Sequence, residues 1–290
     1  MNSSVSMDTS LLVAGNINID SHQHFWQYDT VTHDWINEEM RVIRKDFLPS
    51  DLLPLLQQNN ISGCVAVQAD QSEKETDFLI QLAKENIFIK GVVGWVDLRA
   101  EDIRERLSHY QHAKIVKGFR HILQGEDPAF MLRSDFLKGI AALHEFGFTY
   151  DILIFPKHLP AALELVKQFP DQPFVIDHMA KPFIKSGLIE EWKKCIVAIA
   201  QFPNVYCKVS GMVTEADWKN WKKEDITPYL DIIVNNFGMK RLLYGSDWPV
   251  CLVAGSYEKM MGLVRDYFSS FSSTEQELIF GRNASQFYQL

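Results

Sequence analysis

The sequence predicts an α/β fold, a single-domain (β/α)8 barrel, on three observations. From residue 16 onward, short runs rich in Val, Ile and Tyr alternate with longer stretches of helical periodicity, as repeated β-α units around a parallel sheet require. There are eight such runs, the number that closes a barrel of this kind. The turn after the first run reads Asp20-Ser21-His22-Gln23-His24, without a glycine. An open nucleotide-binding sheet needs a Gly-rich turn there, so the doubly wound alternative is disfavoured.

Taken in order, the expected strands are residues 17–20, 64–68, 87–93, 115–119, 149–154, 174–177, 205–209 and 242–244. A first helix (52–58) follows Ser50-Asp51, a second opens at Ser72 with Glu75 completing a capping box, and a third (135–146) follows Ser134. Further helices are expected over 160–169, 189–200, 226–237 and 257–268, with a terminal one from Thr274. No linker or low-complexity run interrupts the series. Residues 16–290 therefore read as one barrel domain behind a flexible tail, 1–15. The tail's one apolar stretch, Leu11-Leu12-Val13-Ala14, is too short for a signal peptide and lacks a basic start.

Composition narrows the class. With 47% hydrophobic and 23% charged residues the chain can bury a large core and is not disordered. The net charge of −8 gives no general attraction to nucleic acid or to anionic membranes. No segment has the apolar length to span a bilayer. Cys64, Cys195, Cys207 and Cys251 are far apart with no C-x-x-C pair, which fits a reduced, cytoplasmic setting better than a disulfide scaffold.

The chemistry is carried by position. Titratable residues stand at strand after strand: His22-Gln23-His24, Trp95-Val96-Asp97, Arg120-His121, Tyr150-Asp151, Asp177-His178 with Lys181, Lys208 with Ser210, and Ser246-Asp247-Trp248. Barrel closure brings strand ends to one face, where active sites are built. Two histidines two apart on an extended segment point the same way and can share a cation. His178 and Asp247 supply the third imidazole and the carboxylate that complete such a set. Asp247 alone would be weak, since Asp after a strand also caps helices and Pro249 follows it. Trp26, Trp95, Tyr150 and Trp248, interleaved with Lys117, Arg120, Asp151 and Lys181, suit a small polar ring such as a sugar derivative, or else simply cover the barrel mouth. His121 beside Arg120 is read as a substrate contact, whereas His33, His109, His112, His144 and His158 have no partners in the pattern.

Five segments carry a resemblance: His22-Gln23-His24-Phe25-Trp26, Lys117-Gly118-Phe119-Arg120-His121, Asp177-His178-Met179-Ala180-Lys181-Pro182, Lys208-Val209-Ser210-Gly211 and Tyr244-Gly245-Ser246-Asp247-Trp248-Pro249-Val250. They resemble the amidohydrolase-related metal-dependent hydrolases, and within them the sugar lactonases acting on L-fucono- and L-rhamnonolactone. Ile279-Phe280-Gly281-Arg282-Asn283-Ala284 is similar to that family's closing helix. The resemblance implies a distorted TIM barrel with His22, His24, His178 and Asp247 around the reacting centre. The superfamily's metal-bridging Lys and second His on the fifth strand have no match here, which leaves one divalent ion, zinc first among candidates, or none.

The reaction expected is hydrolysis of a sugar-acid lactone. Asp247 would take a proton from water and return it to the ring oxygen, with His178 or an ion polarising the carbonyl. Trp26, Trp95, Lys117, Arg120, His121, Tyr150, Asp151 and Lys181 would hold the substrate. Two other readings share the same barrel: metal-dependent decarboxylation of an aromatic acid, and sugar-acid binding without turnover. A small molecule is the expected partner, and a homo-oligomer is compatible with the sequence.

Overall fold

The structure is a computed structural model and describes residues 17–290, so the tail expected over 1–15 lies outside the described residues. Eight strands, β1 (Ile19–Gln23), β2 (Gly63–Val67), β3 (Ile89–Gly94), β4 (Val116–Ile122), β5 (Thr149–Leu153), β6 (Phe174–Ile176), β7 (Val205–Val209) and β8 (Leu242–Tyr244), lie in sequential order. Every neighbouring pair is parallel. Because both faces are covered, the strands read as near-continuous apolar runs. Ile19, Val65, Val67, Val93, Val175 and Leu243 fill the barrel, while a larger apolar layer separates it from the surrounding helices. Among the described residues no helix is long and apolar enough to cross a membrane.

The helices are α1 (Pro49–Gln58), α2 (Glu73–Glu85), α3 (Ile103–Gln111), α4 (Ser134–Phe146), α5 (Leu159–Gln168), α6 (Glu190–Ile199), α7 (Lys223–Phe237), α8 (Tyr257–Phe268), α9 (Ser273–Glu277) and α10 (Asn283–Tyr288). The sequence reading has no counterpart for α3, which is mostly polar yet buries Ile103, Leu107 and Tyr110 at helical spacing. The capping box at α2 is half formed. Ser72 accepts from the Glu75 amide, but the Glu75 carboxylate turns to the Ala69 amide instead. The terminal helix is broken by a π-helical turn, Leu278–Arg282, after which α10 plugs the bottom of the barrel with Ala284, Phe287 and Tyr288.

Two boundary shifts matter for the site. β1 runs through His22 to Gln23, and β4 runs through Arg120 and His121 to Ile122. Residues that looked like loop are thus strand residues, alternating between the barrel interior and the helix layer. The seam between β1 and β8 is joined by strand-end contacts: Asp247 N to His22 O (2.9 Å), His24 N to Trp248 O (2.7 Å) and Ser21 Oγ to Tyr244 O (2.6 Å). Gly245 is required here, since a Cβ would lie 2.6 Å from that of His22.

Beneath this seam, the fully buried Asp20 accepts from Ser246 N (2.9 Å), His22 N (3.2 Å) and Tyr257 Oη (3.1 Å). Burial raises its pKa to about 6, and those hydrogen bonds only partly offset it. A carboxyl whose pKa rises on folding contributes stability that is present below about pH 4 and lost as pH climbs through the folded value. The stability of Asp20→Asn relative to the native chain should therefore improve between pH 4 and pH 7 in urea unfolding. A difference constant over that range would contradict a raised carboxyl.

Candidate active site

At the C-terminal ends of the strands a cavity of about 610 Å³ opens, with His24, Arg120, His178, Lys181 and Asp247 among its lining residues. His22 lies just below them, fully buried. Its Nε2 is 3.2 Å from His24 Nε2. His24 Nδ1 lies 2.8 Å from Val67 O, and a carbonyl only accepts, so Nδ1 carries the proton and Nε2 presents a lone pair. Arg120 Nη1, a donor only, is 3.3 Å from His22 Nε2, which makes that nitrogen an acceptor as well. Two lone pairs this close repel each other unless a cation lies against both.

Asp247 completes the set. Its Oδ1 is 3.6 Å from His24 Nε2 and 3.8 Å from His178 Nε2, and its Oδ2 is buried with no partner among the described residues. Burial holds the three imidazoles below their usual range, hence neutral at pH 7. Burial would raise Asp247, but His178, His24 and Lys181 outweigh it and keep the carboxyl ionised. Neutral imidazoles, a carboxylate and an orphaned carboxylate oxygen make a donor set that fits a divalent cation.

Backbone strain holds this geometry. After β6, four consecutive residues are left-handed: His178 (φ 52°), Met179 (54°), Ala180 (59°) and Lys181 (49°). Each costs about 1 kcal/mol, and Asp247 is left-handed too (φ 57°). The turn is pinned by Trp192 Nε1 donating to Met179 O at 2.7 Å. Ser210 Oγ lies 2.9 Å from His178 Nδ1, and any Cβ at Gly211 would come within 2.6 Å of that nitrogen.

The barrel interior beneath is ionic. Lys208 Nζ contacts Asp151 Oδ2 (2.5 Å) and Asp177 Oδ1 (3.0 Å), all fully buried, and lies 3.1 Å from His22 Nδ1. Arg120 Nη1 donates to Asp177 Oδ2 (3.0 Å). Burial would raise Asp177, but Lys208, His22 and Arg120 overcome it and hold its pKa well down. Burial raises Asp151 to about 6 against the pull of Lys208. Tyr288 Oη donates to Asp151 at 2.8 Å, tying α10 to the same cluster.

The four expected metal-site residues thus converge, and Arg120 and Lys181 line the cavity. The other expected substrate contacts lie elsewhere. Lys117 sits early in β4, near the opposite end of the barrel, and donates to Gln289 O (2.8 Å). Tyr150, early in β5, faces the helix layer between Phe136 and Phe174. Asp151 points into the barrel below the cavity. Trp26 is buried behind His24 with its indole N–H on Lys45 O (2.9 Å). Trp95 donates to His121 Nδ1 (3.3 Å). His121 stacks on Phe130 behind the wall, its Nε2 3.6 Å from Glu126. Strand alternation turns Lys117, His121 and Tyr150 away from the axis, Asp151 faces inward but below the cavity, and Trp26 and Trp95 stand past the ends of β1 and β3. The sequence reading missed Trp35, Asp70, Gln71, Glu215 and Trp218 on the cavity wall. Asp70 and Gln71 follow β2 just as the other expected residues follow their strands, whereas Trp35, Glu215 and Trp218 belong to longer excursions.

Removing one partner from a buried ion cluster leaves uncompensated charge, at a cost of about 3–5 kcal/mol. Lys208→Met should lose about that much in denaturant unfolding, and a loss below about 1 kcal/mol would place the cluster's stabilisation elsewhere.

Known proteins resemble this chain along nearly its whole length. A protein of Burkholderia multivorans named L-fucono-1,5-lactonase is 38% identical over 95% of this chain and 97% of its own. One of Burkholderia ambifaria with the same name is 34% identical over 94% and 95%. The crystal structure of a Burkholderia multivorans amidohydrolase with bound zinc superposes with a TM-score of 0.92 at 37% identity, covering 94% of this chain and 99% of that one. The family model described as Amidohydrolase matches residues 19–290, and the chain belongs to that family.

Proposed function

We propose that the chain is a hydrolase that opens the ring of a sugar-acid lactone, such as an L-fucono- or L-rhamnonolactone. The observation that carries this reading is the placement of Asp247, ionised and with one carboxylate oxygen unpaired among the described residues, beside three neutral imidazoles at the floor of the cavity. The names of the two Burkholderia relatives support the substrate class.

His22, His24, His178 and Asp247 would hold a divalent ion, with zinc favoured by the zinc-bound relative. When bound, it supplies Lewis-acid polarisation and lowers the pKa of water. The chain's own residues do the rest. Asp247 Oδ2 accepts a proton from the attacking water and returns it to the ring oxygen as the tetrahedral adduct collapses, one group serving as base and then acid. His178, fixed by Ser210 and the left-handed turn, keeps Nε2 3.8 Å from Asp247 Oδ1, where it would join the ligand set. Arg120 at the floor and Lys181 on the wall supply cations that orient the lactone and stabilise developing negative charge. Four cysteines without disulfides agree with a cytoplasmic setting.

Asp247→Asn should abolish lactone hydrolysis, followed by acid release, while circular dichroism and unfolding midpoint remain close to those of the native chain. An active, folded variant would refute the role of Asp247. Equilibrium dialysis against zinc should give about one ion per chain, falling to background in a His22→Ala/His24→Ala variant; undiminished binding there would remove these histidines from the ligand set.

A further inference from the structure

Lys181 and Glu215 stand together on the cavity wall and come from consecutive strand-to-helix connections. Lys181 Nζ donates to Glu215 Oε1 at 3.0 Å, with the two side chains 15% and 18% exposed. Both are firmly positioned. Lys181 ends the left-handed turn that begins at His178. Glu215 closes a short helical turn, Val213–Glu215, in which Thr214 Oγ1 donates to Gly211 O (2.7 Å) and Trp218 Nε1 donates to Thr214 O (2.8 Å). Trp218 itself lines the cavity.

We propose that Lys181 and Glu215 form a hydroxyl-reading clamp that selects neutral lactones carrying two adjacent ring hydroxyls. This rests on the lactonase reading and adds to it the part of the substrate that is recognised. The mutual contact uses one Lys181 N–H and one Glu215 oxygen, leaving two donors and one acceptor without protein partners among the described residues. A hydroxyl both donates and accepts, so of two neighbouring hydroxyls one accepts a hydrogen bond from Lys181 and the other donates one to Glu215. The Trp218 indole offers an apolar face for ring C–H groups beside them.

Charge selects further. Asp34, Asp70, Glu215 and Asp247 line the cavity with Arg120 and Lys181, and both cations are already paired, Lys181 with Glu215 and Arg120 with Asp177, so a phosphorylated or carboxylated ring meets a carboxylate beside each. An unsubstituted lactone would desolvate the pair without replacing its water.

The test is a cycle between enzyme and substrate. A six-membered aldonolactone and its counterpart lacking one of the adjacent hydroxyls are assayed with the native chain and with Glu215→Gln. Loss of the hydroxyl should cost the native chain about tenfold in kcat/KM, mostly in KM, but the variant less than about threefold. Equal losses in both would overturn the clamp. Lys181→Met, read the same way, serves if Glu215→Gln does not fold. A polyhydroxylated δ-lactam, which is not hydrolysed, gives a second arm by calorimetry, the native chain binding about tenfold more tightly than the variant. Equal affinity would overturn the clamp. If the native chain opened no lactone yet still bound the lactam more tightly than the variant, the lactonase reading would fail and the clamp would stand.

Discussion

The buried cluster of Lys208, Arg120, Asp151 and Asp177 is the constraint on which the rest of this barrel depends. Two cations and two carboxylates taken out of water are tolerable only when each meets an opposite charge at hydrogen-bond distance. That requirement fixes β4, β5, β6 and β7 relative to one another. An apolar filling could shift by a fraction of an ångström at small cost, but a charge network has one arrangement in which every partner is met. His22 rests directly on the network, through Asp177 at 3.3 Å and Lys208 at 3.1 Å. The first imidazole of the site thus inherits its orientation from the barrel's interior.

Above that rigid floor the site is built from strained backbone. The left-handed residues at His178–Lys181 and at Asp247 are each unfavourable by themselves. They persist because packing over-determines them: Trp192 holds the Met179 carbonyl, and the space beside His178 exists only because residue 211 is glycine. Floor and wall therefore have different physical origins, ionic pairing below and enforced conformation above.

This division explains what could be read from the sequence. The barrel was legible, since eight apolar runs and a glycine-free first turn leave little alternative. The convergence of His22, His24, His178 and Asp247 was legible too, because strand ends share a face in such a barrel. What composition and spacing did not reveal was phase. Lys117 and Tyr150 belong to motifs that also contain site residues, yet their depth and facing along β4 and β5 take them away from the cavity. His121 was misplaced because β4 continues three residues beyond its expected end at 119, to Ile122, and Trp95, just past β3, turns its indole to His121 rather than to the cavity. Glu215 and Trp218 lie five and eight residues past Ser210, where no periodicity indicates which way a side chain turns.

The seam between β1 and β8 has a thermodynamic consequence. His24 and Asp247 stand on its two sides, 223 positions apart in the chain and 3.6 Å apart in space. Anything gripped by both fastens the first strand to the last, and an opened ring has no such pair to offer. Occupancy and ring integrity are then linked by mass action: a ligand at a hundred times its dissociation constant stabilises the closed form by about 2.7 kcal/mol. The same residues that line the cavity thereby act as the clasp of the barrel.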